Sequence, residues 1–331
     1  MTRRRSCAAL AGLAVALLAG CQPGAKKESG TASGPAAEGK KLLVVFSQCN
    51  NAEPYRAAQN ALMQKMWGQY KDVELTITDA QQDNAKQISQ IETSIRQKPD
   101  LLIVAPNEAA PLTAVMKKAM DAGIPTLCLE RSILEPNYTS YIKCDNKAIG
   151  RMAGEFIVKK LTELKGKPAG NVVEICGLKG VLPERERQDG AHEAFAKYPG
   201  IKIVGDPVAD WLQGKAKDRM TEVLSAVPNI DCVYGHNDPM AVGAYLAAKE
   251  KGRDKEMFFV GVDGLGGEAG GVKKVVDGVL AATFVYPLCV DKAVEIGNKI
   301  LHDKSFKPEK EYVMPSKEVT PANAAELLKT L

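Results

Sequence analysis

Leu42-Leu43-Val44-Val45-Phe46 runs straight into Ser47-Gln48-Cys49-Asn50-Asn51-Ala52-Glu53-Pro54-Tyr55-Arg56. Five consecutive apolar residues without polar alternation form the pattern of a short strand buried on both faces. A polar loop follows at once, and a helical pattern then extends over residues 54–70. Buried strand, polar turn and helix together make the repeating half of a parallel α/β sheet.

The rhythm continues outward from this stretch. Residues 73–78 alternate as a strand, and residues 84–97 place Ile88, Ile91 and Ile95 on one helical face. Strands are expected at 101–105, 125–129 and 138–144, with a helix at 111–122. A second series opens with a helix over 147–164, whose inner stripe is Ile149, Met152, Ala153, Phe156, Ile157, Leu161 and Leu164. Strands follow at 171–176, 201–204, 232–235, 258–262 and 281–285. Helices separate them at 184–198, 215–226 and 239–251, with a short one before the last strand. A final helix turns Val290, Ala293, Val294, Gly297, Ile300 and Leu301 inward. Two such series predict an α/β protein of two doubly wound parallel-sheet lobes, which suits a length of 331 residues.

The chain begins in a different style. Arg3, Arg4 and Arg5 precede an apolar run at 8–19 that ends in Leu18-Ala19-Gly20-Cys21. A positive start, an apolar stretch of about 7–15 residues and small residues at the cut make a secretory signal. The run is shorter than the roughly 20 apolar residues that span a bilayer. A cysteine directly after the small residues resembles a bacterial lipobox, which implies that residues 1–20 are removed and that Cys21 carries lipid. The alternative is a plain secretory signal with an incidental cysteine. Either way the protein works outside the cytoplasm, which argues against most NTP- and NAD-dependent enzymes. Residues 21–40 are rich in Gly, Ala, Ser, Pro, Lys and Glu and read as a flexible tether.

Charge and cysteine usage narrow the class further. Three of the four net positive charges sit on the signal arginines, so the rest is near neutral and lacks the footprint of a nucleic-acid binder. Beyond Cys7 and Cys21, six cysteines remain: Cys49, Cys128, Cys144, Cys176, Cys232 and Cys289. None is spaced as CxxC or set beside a histidine in a ligand pattern, so no metal site is expected. Several fall inside apolar strands, where cysteine behaves as a small buried hydrophobe, and mostly free thiols are expected.

In doubly wound sheets ligands bind beyond the carboxyl ends of the strands. The residues there are Asn51, Glu53, Tyr55 and Arg56 after the first strand, Asn107 after the third, and Glu130 and Arg131 after the fourth. The second series contributes Arg187, Trp211, Asn237, Asp263 and Tyr286. Carboxylates accept hydrogen bonds from hydroxyls, guanidinium forks hold neighbouring oxygens, and an aromatic face covers the C–H side of a sugar ring. Any single Asn or Asp among them could equally be a helix cap.

Residues 41–315 resemble the periplasmic sugar-binding proteins of the ribose-binding type. The resemblance lies in Ser47 to Arg56, Ala105-Pro106-Asn107, Leu129-Glu130-Arg131-Ser132, Asp145-Asn146 and Arg185-Glu186-Arg187-Gln188-Asp189-Gly190. It continues in His236-Asn237-Asp238-Pro239, Gly261-Val262-Asp263-Gly264 and Leu280-Ala281-Ala282-Thr283. It implies a multi-crossing hinge, with 41–144 plus 287–315 in one lobe and 145–286 plus 316–331 in the other. Arg131, Arg187, Asn237 and Asp263 would hydrogen-bond a monosaccharide, and Trp211 would stack on it. Glu130 stands where ribose binders carry Asp, and Tyr286 where they carry Gln. Glu53, Tyr55 and Arg56 replace two aromatics, which resembles the branch that binds galactofuranose and related sugars. The implied role is a monomeric, lipid-anchored receptor that delivers its sugar to an ABC permease, without chemistry of its own and without cofactor.

Three other readings were weighed. A sensory input subunit would use the same closure. An exported carbohydrate hydrolase would pair Glu130 with Asp263. Gly264-Leu265-Gly266-Gly267-Glu268-Ala269 fits a dinucleotide fingerprint, but late in the fold and in an exported chain it reads instead as a loop behind Asp263.

Overall fold

The computed structural model describes residues 40–330. The signal at 1–20, Cys21 and the tether up to residue 39 lie outside them. β1 (Leu42–Gln48) is followed by α1 (Pro54–Trp67), β2 (Val73–Asp79), α2 (Asn84–Gln97), β3 (Leu101–Val104), α3 (Ala109–Asp121), β4 (Thr126–Leu129) and β5 (Ser140–Cys144). Then come α4 (Asn146–Lys165), β6 (Gly170–Ile175), α5 (Leu182–Phe195), β7 (Ile201–Gly205), α6 (Gln213–Ala226), β8 (Cys232–Gly235) and α7 (Asp238–Glu250). β9 (Phe258–Val260), α8 (Gly271–Val276), β10 (Thr283–Phe284), α9 (Val290–His302), β11 (Glu311–Met314), β12 (Glu318–Val319) and α10 (Ala324–Leu327) complete the chain.

Two parallel sheets result. The first has the order β11-β5-β4-β3-β1-β2 and the second β7-β6-β8-β9, while β10 and β12 form an antiparallel pair. Bridges from Val260 to Ala282 and from Asp263 to Val285 attach the β10 segment to the second sheet. β3, β4 and β8 are buried along their whole length, as strands covered by helices on both faces must be. Among the described residues no helix is long and apolar enough to cross a membrane.

The chain passes between the sheets three times: from β5 into α4, from β10 into α9, and from β11 into β12. α9 packs on α1, β3 and β4, so it belongs with the first sheet. Local chemistry starts the helix after the first passage and one within the second series. The Asp145 carboxylate accepts from the Ala148 N–H to cap α4, and the Asn237 side-chain oxygen accepts from the Met240 N–H to cap α7.

Some elements depart from the sequence expectation. β5 begins at Ser140, two residues later than expected, and β10 has only two residues. Leu164, expected on the inner stripe of α4, is 62 % exposed because it lies in the final turn, where the stripe outlasts the layer it packs on. β11, β12 and α10 carry no apolar run that would announce them; β11 is only partly covered along its length.

α4 and α5 touch backbone to backbone. A Cβ on Gly150 would lie 2.2 Å from the Arg187 carbonyl oxygen, and one on Gly190 would lie 2.1 Å from that of Lys147. Only hydrogen at both positions allows this approach, and it fixes where Arg187 leaves α5.

Candidate functional site

The carboxyl ends of both sheets converge on one small hollow. Its lining is Glu53, Tyr55, Arg56, Glu130, Arg131, Pro183, Arg187, Trp211, Asn237, Asp263 and Tyr286. Ten of the twelve residues expected from the sequence are therefore brought together, and they come from the segments that follow seven different strands.

On the first-sheet side, the N-terminal turn of α1 presents Tyr55 and Arg56, and Glu53 stands just before it. The Asn50 amide donates to Glu53 at 2.7 Å and so aims its carboxylate. Arg56 Nη2 donates to Glu130 Oε2 at 2.6 Å, and Nη1 donates to Gln59 Oε1 at 3.0 Å. Glu130 follows β4 with φ 67°, a left-handed conformation that turns its side chain out of the strand direction. The Tyr286 hydroxyl donates to its other oxygen at 2.7 Å. Burial raises the Glu130 carboxyl, but Arg56 and Arg131, together with the Tyr286 bond, more than offset this and hold it below the usual range. With one methylene more than Asp, the Glu130 side chain spans Arg56 and Tyr286.

On the second-sheet side, Arg187 Nε donates to the Asn146 side chain at 3.0 Å and Nη1 to the His236 carbonyl at 2.5 Å. Trp211, with φ 70°, lies over Gly177, where a Cβ would fall 2.2 Å from the indole. The Asn237 amide donates to the Trp211 carbonyl at 3.1 Å while its oxygen caps α7. Asn237 thus lines the hollow, yet its polar atoms already hold the backbone of its neighbours. Arg131 and Arg187 flank the indole from opposite sheets, 5.9 and 5.6 Å from its centroid.

Several buried polar atoms here have no partner among the described residues: Nε of Arg56, Nε of Arg131 and the indole N–H of Trp211. Asp263, 4 % exposed, makes no side-chain hydrogen bond among them either, although its N–H donates to the Phe284 carbonyl. Burial pushes the Asp263 carboxyl well up, Asp238 adds to the push, and Arg187 opposes it. Asp238 lies beside it, accepting from the Thr283 hydroxyl at 2.6 Å and the Gly264 N–H at 2.8 Å, and burial lifts it to about 7. Unpartnered buried donors and acceptors are rare in native proteins because each is costly, and several on residues that line one hollow mark a place for a polar guest.

Two expected residues fall elsewhere. Asn51 is exposed and accepts from the Asn60 amide, on the outer side of the loop. Asn107 is buried behind the site: its carbonyl accepts from Arg131 Nη1 at 2.9 Å, so it positions the guanidinium. Other supports went unread in the sequence. Pro183 lines the wall at the start of α5, and Gln59 and Asn146 hold Arg56 and Arg187. Glu174, 0 % exposed, is hydrogen-bonded to His236 Nε2 at 2.9 Å and His192 Nε2 at 2.7 Å, and so steadies the His236 segment that receives Arg187. Glu174, Cys176 and His236 bring potential ligand atoms within 4.8 Å, a grouping that sequence spacing did not reveal, but the carboxylate already serves the two imidazoles. Trp67 is 1 % exposed in the first-sheet core. The glycines from 264 onward form the loop behind Asp263, and the Gly264 N–H is taken by Asp238.

Known proteins carry the same plan. Residues 44–287 match the family described as periplasmic binding protein domain. The galactofuranose-binding protein YtfQ of Escherichia coli is 34 % identical over 232 residues, 68 % of this chain and 71 % of that protein. The ribose import binding protein RbsB of Bacillus subtilis is 31 % identical over 72 % of this chain and 74 % of its own. Among solved structures, the fructose-binding periplasmic domain of a hybrid two-component system superposes with a TM-score of 0.81 at 39 % identity, covering 87 % of this chain and 94 % of that one. The chain belongs to the periplasmic binding protein family, and it is a binding protein rather than an enzyme.

Proposed function

We propose that this protein captures a monosaccharide between two lobes and delivers it to an ABC importer. One observation carries the reading: side chains from both sheets line a single hollow in which donors and an acceptor stand unpartnered. A sugar offers hydroxyls that both donate and accept, so it completes Asp263 on one side and the guanidinium Nε atoms of Arg56 and Arg131 on the other. Trp211 supplies the stacking face. The similarity to a galactofuranose binder, with Glu53, Tyr55 and Arg56 in the first loop, favours a furanose ring.

In this reading the lobes comprise 41–144 plus 287–315 and 145–286 plus 316–331, and the three crossings are the hinge. Contacts to both lobes exist only when they are closed, so the ligand selects the closed state. The signal at 1–20 exports the chain, lipid on Cys21 holds it at a membrane, and it acts as a monomer. A second reading has one specific support: a 39 % identical solved relative is the fructose-binding periplasmic domain of a hybrid two-component system, and in that reading closure is sensed by a kinase instead of a permease.

A thermal-shift screen over pentoses, hexoses, furanose sugars and polyols tests the capture. One class of sugar should raise the melting temperature in a concentration-dependent way, and no shift with any of them would reject the reading. Pull-down with detergent-solubilised permease against sensor-kinase partners separates the two outputs.

A further inference from the structure

We propose that Cys144 and Cys289 are joined by a disulfide in the exported protein, tying the first crossing between the sheets to the second. Their sulfurs lie 3.7 Å apart and both residues are buried, 3 % and 2 % exposed. All six described cysteines are free in this structure, and no other two of them bring their sulfurs within hydrogen-bonding reach. Cys144 ends β5 at the departure of the first crossing, and Cys289 precedes α9 at the arrival of the second. A disulfide has sulfurs about 2.05 Å apart, so the two sulfurs must approach by less than about 2 Å to bond.

The surroundings tolerate the loss of both thiol hydrogens. Each thiol donates to the Pro287 carbonyl, at 3.7 Å from Cys144 and 3.4 Å from Cys289. The Tyr55 hydroxyl donates to the same oxygen at 2.8 Å, so this carbonyl keeps a partner after oxidation. The second and third crossings are already linked to each other. The Ser316 hydroxyl donates to the Val285 carbonyl, and the Val285 N–H donates to the Lys317 carbonyl. Cys144 also stands in register with Met314 of β11, where the third crossing departs. A bond from Cys144 to Cys289 completes the set, so that all three crossings are tied where they meet the first sheet.

The chemistry needs an electron acceptor, which is a disulfide donor of the oxidising compartment: an oxidised small thiol or a dithiol oxidase. One cysteine thiolate attacks the donor's S–S bond, forms a mixed disulfide and expels one donor thiolate. The second cysteine thiolate then attacks the protein sulfur of that mixed disulfide and expels the other. The donor gains two electrons, and the two protons lost by the cysteines end on its thiolates. The Cys144 contact and burial both push the Cys289 thiol up, so the folded dithiol reacts slowly. The bond therefore forms as the chain folds and is shielded afterwards.

The test uses mature protein isolated from its own cell envelope, denatured in excess alkylating agent and digested without reductant. Peptides bearing Cys144 and Cys289 should be recovered linked, and separate after reduction. Reducing the intact protein should lower its melting temperature by roughly 5 °C or more, because the bond closes a long loop. Recovery of both residues as alkylated free thiols, or linked to other cysteines, overturns the proposal. Cys289→Ser should remove the linked species; if that variant does not fold, the wild-type digest alone decides. The proposal is independent of the ligand: a sugar screen that fails on protein carrying the bond rejects the capture reading and leaves the disulfide standing.

Discussion

Arg56 and Glu130, 74 residues apart in sequence, form an ion pair of 2.6 Å in which both side chains are almost fully buried. The pair crosses the floor of the hollow from α1 to the end of β4. Arg56→Met takes from the buried Glu130 carboxylate its hydrogen-bonded cation and leaves Arg131 at 3.7 Å, and should lower unfolding free energy by about 3 kcal/mol. Arg56→Met combined with Glu130→Met should cost much less than the two single changes summed. Urea unfolding of the four proteins in a double-mutant cycle measures this coupling. Strict additivity would mean that the two side chains do not interact.

Trp211 is one of two tryptophans, and the other, Trp67, is buried in the first-sheet core away from the hollow. A bound sugar should therefore change the emission of Trp211 alone. Trp211→Ala should abolish the fluorescence change and weaken binding at least tenfold, a loss of about 1.4 kcal/mol or more. Titration of the variant by calorimetry is the check, and wild-type affinity there would contradict the stacking role.

Asp263 and Asp238 make the affinity depend on pH. Burial raises both carboxyls in the free protein, with Asp238 lifted to about 7. Sugar hydroxyls donating to Asp263 favour its ionised form, so binding must release whatever proton the free site holds. Affinity should then rise with pH through the range in which the free carboxyls titrate, and level off above it. Calorimetry in two buffers of different ionisation enthalpy should detect proton release at the lower pH. Asp263→Asn should flatten the profile and weaken binding, whereas a steep profile in that variant would assign the titration to another group.

Glu174 and His192 bound one window of stability, the first on its acid side and the second on its basic side. Burial raises the Glu174 carboxyl, but its bonds to His192 and His236 outweigh that and hold it down to about 2. Its contribution is complete above the ordinary 4.5 and is lost as pH falls towards 2. His192 is raised above 6.5 chiefly by the same bond, so its contribution is complete below 6.5 and is lost as pH rises through the elevated value. Glu174→Gln should cost about 3–5 kcal/mol by leaving the imidazoles without their carboxylate. It should also remove both slopes from a plot of melting temperature against pH. Persistence of the acid slope would assign it to other carboxylates.

Much of this architecture is legible in the sequence because it is local. Buried strands such as Leu101–Val104 are short apolar runs, and the helix Asn84–Gln97 shows its isoleucines at helical spacing. Parallel winding then gathers whatever follows each strand at one sheet edge, which is why the sequence alone singles out Glu53, Arg131, Arg187, Trp211 and Asp263.

Direction and partnership were decided only in three dimensions. Asn51 and Glu53 are two residues apart in one loop, yet one faces outward and the other lines the hollow, since loop backbone has no fixed period. The left-handed turns at Glu130 and Trp211, the grip of Asn107 on Arg131, and the meeting of Cys144 with Cys289 all depend on how distant segments fold back. Periodicity records which face of an element is buried; it holds no record of which remote side chain, brought in by sheet order and the three crossings, will stand against it.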